Sequence, residues 1–309
     1  MKIAALVGPT AAGKTGVAIE LARRWGAEIV GVDASQVYRG MNVGTGKATP
    51  AELGGVRHHL LDVVSPGDPF DVGRYVEMAD SALNEIKGRG GRALLCGGTG
   101  LYLRALIDGL CPAPPLTEDV RSSLRSRLAA GEGEAVHQEL LAVDPVAAQR
   151  ISPNDAQRLE RALGVWHSTG KPLSTWQAEH GFGEKRYQAR LAGIRWPRAV
   201  LNERIEVRVE QMFTMGWLEE VHGLIAAGHG PHLQSMGALG YRFIAAHLAG
   251  ELSFKDAQEK TKIATRRYAK RQMTWFSRTK GVHWFDGPVD IEAVDAYFAD
   301  FWDNGQTAK

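Results

Sequence analysis

Short apolar runs separated by amphipathic stretches recur along the chain, at Ile3-Val7, Glu28-Val32, His59-Val64, Arg92-Cys96 and again at Leu191-Trp196. Runs of this length fit strands buried on both faces of a parallel sheet, and the helical periodicity between most of them fits covering helices. Strand alternating with helix predicts an α/β fold, a parallel sheet flanked by helices. The alternation stops after Gly109, where Cys111-Pro112-Ala113-Pro114-Pro115 cannot continue a helix and reads as a linker. From there to about Tyr187 only helical patterns occur, such as Glu118–Ala130 and Asp155–His167, the second opened by Asn154 as its cap and closed near Gly170 and Pro172. The pattern therefore predicts an all-helical insertion domain over 112–189. The core domain comprises 1–111 and 190–309, finished by helices over Val200–Trp217 and Ser253–Ser277.

A chain of 309 residues with 44% hydrophobic content can bury such a core and insertion. Only Cys96 and Cys111 are present, without metal-ligand spacing, which excludes a disulfide framework and a zinc finger and fits a reducing cytoplasm. The histidines, His58 and His59 included, form no ligand cluster. A strand starting at residue 2 leaves no room for a targeting leader, and no apolar run has membrane-span length. The expectation is a soluble cytoplasmic protein, monomeric by default.

The formal net charge of +2 hides a clustered distribution. Residues 260 to 285 carry Lys260, Lys262, Arg266, Arg267, Lys270, Arg271, Arg278 and Lys280 with no acidic residue up to Phe285. At helical spacing Arg267 and Arg271 share a face, while Tyr268, Met273, Trp275 and Phe276 offer stacking surface, a mixture suited to a phosphate backbone and unpaired bases.

Chemistry is concentrated at the first strand. Gly8-Pro9-Thr10-Ala11-Ala12-Gly13-Lys14-Thr15 is an unbroken G-x-x-x-x-G-K-[ST] phosphate loop between strand and helix. Its glycines let successive N–H groups point at an anion, Lys14 reaches the outer phosphate, and Thr15 can hold Mg²⁺. The next strand ends in Asp33, at the sheet edge where open α/β folds bind ligands. Asp33 can hold Mg²⁺ through water or act as a general base. No Asn-Lys-x-Asp guanine signature or helicase set accompanies the loop. A small-metabolite or nucleotide kinase using ATP, an RNA-binding nucleotide switch and a transferase with a diphosphate leaving group all remain open.

Beyond the phosphate loop, six further segments follow in order: Val-Asp-Ala-Ser-Gln-Val-Tyr-Arg-Gly-Met (32–41), Gly-Thr-Gly-Lys (44–47), Gly-Gly-Thr-Gly-Leu-Tyr (97–102), Asn-Asp-Ala-Gln-Arg-Leu-Glu-Arg-Ala-Leu (154–163), Gly-Ala-Leu-Gly-Tyr-Arg (237–242) and Arg-Tyr-Ala-Lys-Arg-Gln-Met-Thr-Trp-Phe (267–276). Together they resemble the bacterial tRNA dimethylallyltransferases, also called tRNA isopentenyltransferases. The resemblance implies a P-loop NTPase-like core. It also implies transfer of a dimethylallyl group from dimethylallyl diphosphate to the exocyclic amine of the adenosine 3′ to the tRNA anticodon, position 37, with Mg²⁺ and release of diphosphate.

By that resemblance the catalytic residues are Asp33, Thr10 and Lys14. Gly8, Pro9, Thr10, Ala11, Ala12, Gly13, Lys14, Thr15 and Arg208 bind the diphosphate, with Arg204 as the alternative arginine, and Thr15 binds the metal. Asp33, Ala34, Ser35 and Gln36 face the target base. Thr99, Arg121, Gln157, Arg158, Leu159, Glu160, Arg161, Gly240, Tyr241, Arg242, Lys270, Arg271, Gln272, Trp275 and Arg278 contact the anticodon stem-loop. The chain departs from the usual family pattern at Ala12, commonly Ser, and at Asp-Ala-Ser-Gln, commonly Asp-Ser-Met-Gln. It lacks the Cys/His finger of eukaryotic members.

Overall fold

The computed structural model describes residues 1–182 and 185–303. Six strands, β1 (Lys2–Val7), β2 (Glu28–Val32), β3 (His58–His59), β4 (Ala93–Gly97), β5 (Gln188–Arg195) and β6 (Val282–Asp286), form one sheet in the order β3-β2-β4-β1-β5-β6. Every pairing is parallel. Ile3, Ala4, Ala5 and Leu6 are completely buried, as a central strand covered on both faces requires. One face packs Val30, Leu95 and Tyr75 with Trp217 and Tyr241, and the other packs Leu6, Leu94 and Ala192 with Leu21, Val294 and Phe298.

Contacts divide the chain into two compact units, Met1–Ile107 with the residues from Tyr187 onward, and Asp108–Arg186. The second unit is helical, with Glu118–Ala129, Gly133–Val143 and Ala156–Thr169 as its longer helices. Its core gathers Leu124, Val136, Leu140, Leu159 and Leu163.

Several local expectations change. The run His59-Val64 yields only a two-residue strand because Leu60 and Asp62 adopt left-handed backbone, with φ of 63° and 53°. The predicted helix Val200–Trp217 is the helix Arg198–Thr214, which ends before Gly216 at φ 95°, and Trp217 instead opens a second helix, Trp217–Ala226. The cap of the helix Ala156–Thr169 is Asp155, whose carboxylate accepts the Arg158 N–H, rather than Asn154. Strand β6 and the helix Ile291–Asp303 were not expected. The strand is half-buried at the sheet edge, and Val294 and Phe298 of the helix cover the sheet through a long-range contact. The helix predicted over Ser253–Ser277 runs Phe254–Arg278, with Ser253 as its cap, accepting the Asp256 N–H.

Candidate active site at the C-terminal edge of the sheet

The phosphate loop leaves β1 under tight steric control. Gly8 has φ 140°, and a Cβ there would lie 2.5 Å from the Ile194 carbonyl oxygen of the neighbouring strand. Ala11 and Gly13 are also left-handed, at φ 62° and 92°. This alternation turns the loop into a concavity ahead of the helix Lys14–Trp25, whose first N–H groups have no partner within the helix. The Lys14 ammonium donates to the Pro9 carbonyl at 2.7 Å. Burial, reinforced by the like charge of Arg208, pulls its pKa down to about 8 despite the opposing effects of Cys96 and Asp33.

The helix Arg198–Thr214 lies over this loop. Arg204 donates from Nε to the Ala11 carbonyl at 2.9 Å and stacks on Trp196, 4.4 Å from the ring centre, while Trp196 donates to the Ala12 carbonyl at 3.1 Å. These contacts brace the loop from outside. Arg208, one turn on, instead lines a cavity of about 460 Å³, together with Thr10, Ala11, Gly13, Lys14, Thr15 and Asp33. Burial lowers the Arg208 pKa, and the Asp33 carboxylate opposes the shift.

Asp33 sits one residue beyond β2. Its Oδ1 accepts the N–H groups of Ser35 at 2.8 Å and Gln36 at 3.1 Å, an Asx turn that fixes the carboxylate. The Val32 carbonyl accepts from Gly98 and Thr99, tying the Asp33 loop to the segment after β4. Gln36 donates to the Thr45 carbonyl at 3.1 Å. Cys96, Tyr268, Met212 and Trp217 complete much of the cavity wall. Burial, followed by the nearby Asp33 charge, raises the Tyr268 phenol pKa, so the ring remains neutral.

Two residues central to this arrangement carried no motif signal. The Glu220 carboxylate accepts the N–H groups of Asn42, Val43 and Gly44 at 2.7, 2.7 and 3.2 Å and the Tyr241 hydroxyl at 2.6 Å. Trp217 is buried between Gly44 and Gly240, at each of which a Cβ would fall within about 2 Å of the indole. Glu220→Ala would leave three loop donors unpaired. It is expected to cost about 2–4 kcal/mol, measured as a lowered urea midpoint with unchanged m-value.

The other predicted site residues have varied surroundings. Gly240 and Tyr241 are buried, the latter at 0% exposure, whereas Arg242 is exposed over Phe243. On the helix Phe254–Arg278, Lys270, Arg271 and Arg278 are exposed, Trp275 is half-buried against Gly100, and Gln272 is buried. Phe276, expected as stacking surface, is instead core at 1% exposure.

Within the helical unit, Gln157 and Arg158 are exposed and Arg121 is half-buried. Leu159 is fully buried among the unit's own leucines, so its side chain cannot meet a macromolecule at the surface. Glu160 pairs with Arg125 at 3.0 Å, and Arg161 donates to the Pro114 and Ala113 carbonyls at 2.9 and 2.8 Å, fastening the proline-rich segment.

A family model described as IPP transferase matches residues 36–279. The chain belongs to the IPP transferase family. Within the family it is 46% identical over 288 residues to the tRNA dimethylallyltransferase of Geobacter metallireducens, covering 93% of each chain. It is also 46% identical over 294 residues to that of Anaeromyxobacter dehalogenans, covering 95% of this chain and 96% of the relative. Among solved structures, the full-length tRNA isopentenylpyrophosphate transferase of Bacillus halodurans superposes with a TM-score of 0.73 at 36% identity, covering 97% of this chain and 96% of that one. A eukaryotic dimethylallyltransferase acting on tRNA reaches 0.77 at 25% identity, covering 97% of this chain and 77% of its own.

Among the described residues no group of three or more His, Cys, Asp or Glu could hold a metal, and no helix is long and apolar enough to cross a membrane. The site offers a cation the exposed Thr15 hydroxyl and, across the cavity, Asp33. This sparse oxygen set suits Mg²⁺, which retains waters and draws other ligands from substrate phosphates.

Proposed function

We propose that this chain transfers a dimethylallyl group from dimethylallyl diphosphate to the exocyclic amine of adenosine 37 in tRNA. The observation that carries the reading is a single cavity lined by an anion cradle, a fixed carboxylate and an apolar wall. The cradle, with Lys14 and Arg208, suits the diphosphate; Met212 and Trp217 suit an apolar tail; the Asp33 carboxylate in the same lining suits a proton acceptor for the nucleophile.

In the reaction the adenine nitrogen attacks the allylic C1 as the C1–O bond breaks, and the bonding pair leaves with the diphosphate. The loop N–H groups, Lys14 and Arg208 stabilise that growing charge, an electrostatic effect strengthened by burial. Asp33 orients the amine and takes its proton, since one oxygen is held by Ser35 and Gln36 and the other is left for the substrate. Mg²⁺ held by Thr15 would neutralise further diphosphate charge. Thr10 lines the same wall and contributes to substrate positioning.

The target base must leave the stacked anticodon loop, which costs a few kcal/mol that surface contacts offset. Arg267, Lys270, Arg271 and Arg278 on the core unit, and Gln157, Arg158 and Arg121 on the helical unit, are the residues proposed for this grip. Arg267→Ala with Arg271→Ala is expected to weaken stem-loop binding and reduce the slope of log K against log salt by about 2. Fluorescence titration across salt concentrations measures both effects. A small-molecule kinase would be indifferent to that pair.

The function itself is tested by transfer of label from dimethylallyl diphosphate, with Mg²⁺, to a stem-loop bearing adenosine 37. Label on adenosine and none on a guanosine control is the expected result. No transfer, accompanied by ATP turnover on a small metabolite, would reject the reading.

A further inference from the structure

Gln272 joins the basic helix to the phosphate loop. Its side chain is 5% exposed, its Oε1 accepts the Thr10 N–H at 2.8 Å, and its Nε2 donates to the Gly98 carbonyl at 3.0 Å. The residues before it, Lys270 and Arg271, are exposed, and Arg271 also lines the cavity. A single turn of helix thus presents cations outward and places an amide between the loop after β1 and the loop after β4. A Cβ on Gly98 would lie 2.1 Å from Nε2, so the approach depends on that glycine.

Only an amide satisfies both partners, because Thr10 offers a donor and Gly98 an acceptor. A carboxylate would face the Gly98 carbonyl with a second acceptor, and an apolar side chain would leave two buried backbone groups unpaired. The Thr10 N–H is consequently engaged before any anion arrives, and the position of the loop is referred to the position of the helix.

We propose that Gln272 is a positioning residue that couples RNA on the basic helix to diphosphate affinity in the phosphate loop. The proposal rests on the tRNA reading above and assigns Gln272 an internal role in place of the RNA contact implied by family resemblance. A polyanion seated on Lys270 and Arg271 holds the helix in the register that Gln272 transmits to Thr10 and Gly98. Linkage then requires that diphosphate tighten RNA binding by the same factor.

The test is calorimetric titration of the full chain with inorganic diphosphate and Mg²⁺, with and without an adenosine 37 stem-loop. In the native protein the stem-loop is expected to tighten diphosphate binding about tenfold, with the reciprocal gain in stem-loop affinity. Gln272→Met, close in volume and lacking both hydrogen bonds, is expected to weaken diphosphate binding alone, and the mutual gain, a ratio independent of either single affinity, is expected to fall below about twofold. Gln272→Glu, which keeps the Thr10 acceptor but opposes Gly98, is expected to lose most of the gain and serves if the methionine variant does not fold. Native protein that binds both ligands independently would overturn the proposal, as would Gln272→Met with the full gain. Failure of the stem-loop to bind native protein would instead reject the RNA reading on which it rests.

Discussion

Asp33→Asn is expected to lower kcat for prenyl transfer by about a hundredfold to ten-thousandfold, the usual worth of a positioned general base. Stem-loop and diphosphate affinities should stay close to native. The variant is informative because asparagine is isosteric and its carbonyl oxygen can still accept the Ser35 and Gln36 N–H groups that shape the turn. What it cannot do is take a proton at the remaining position. Single-turnover label transfer separates the outcomes. A slow chemical step with unchanged ligand affinities supports the base assignment, and native turnover would remove Asp33 from the chemistry.

Lys14→Met is expected to lower kcat/KM for dimethylallyl diphosphate by about a hundredfold to a thousandfold, because the half-buried cation of the phosphate cradle is lost. The native protein should also show a pH signature. Burial has already lowered the Lys14 pKa to about 8, so the free protein holds the ammonium below that pH and the neutral amine above it. The charged form is the one that attracts diphosphate. Native kcat/KM should therefore be level just below about pH 8 and fall toward one decade per unit above it, as ν for this group drops. In Lys14→Met the same range should be flat, apart from changes that the native enzyme shares. A native profile without the alkaline fall would mean that Lys14 keeps its proton by some other contact in the free protein.

Legibility of the site tracked the distance between interacting residues. The phosphate loop could be read because Gly8, Gly13 and Lys14 act through a turn only a few residues long, whose backbone conformations follow from the residues themselves. Asp33 could be placed because an apolar strand that ends in a carboxylate puts it at the sheet edge. The pattern failed where local and distant effects compete. His59-Val64 is apolar enough for a strand, yet left-handed Leu60 and Asp62 break it as the chain turns toward Val37, whose carbonyl accepts from Val63 and Val64. Leu159 and Phe276 lie in segments rich in surface charge but on their inward faces, and Leu159 helps form the core of the helical unit.

By itself the sequence determined an α/β sheet with a phosphate loop after its first strand, a carboxylate after its second, a helical segment beyond the prolines and a basic helix near the end. These follow from periodicity and from chemistry confined to short stretches. Only the tertiary structure decided that Glu220 holds the loop 42–44 from 178 residues away and that Gln272 reaches Thr10 across 262. It likewise decided that Arg204 braces the phosphate loop while Arg208 enters the cavity. A glutamate or glutamine has no signature of its own for such work: its role is set by which orphan backbone donors and carbonyls the fold brings within about 3 Å of it.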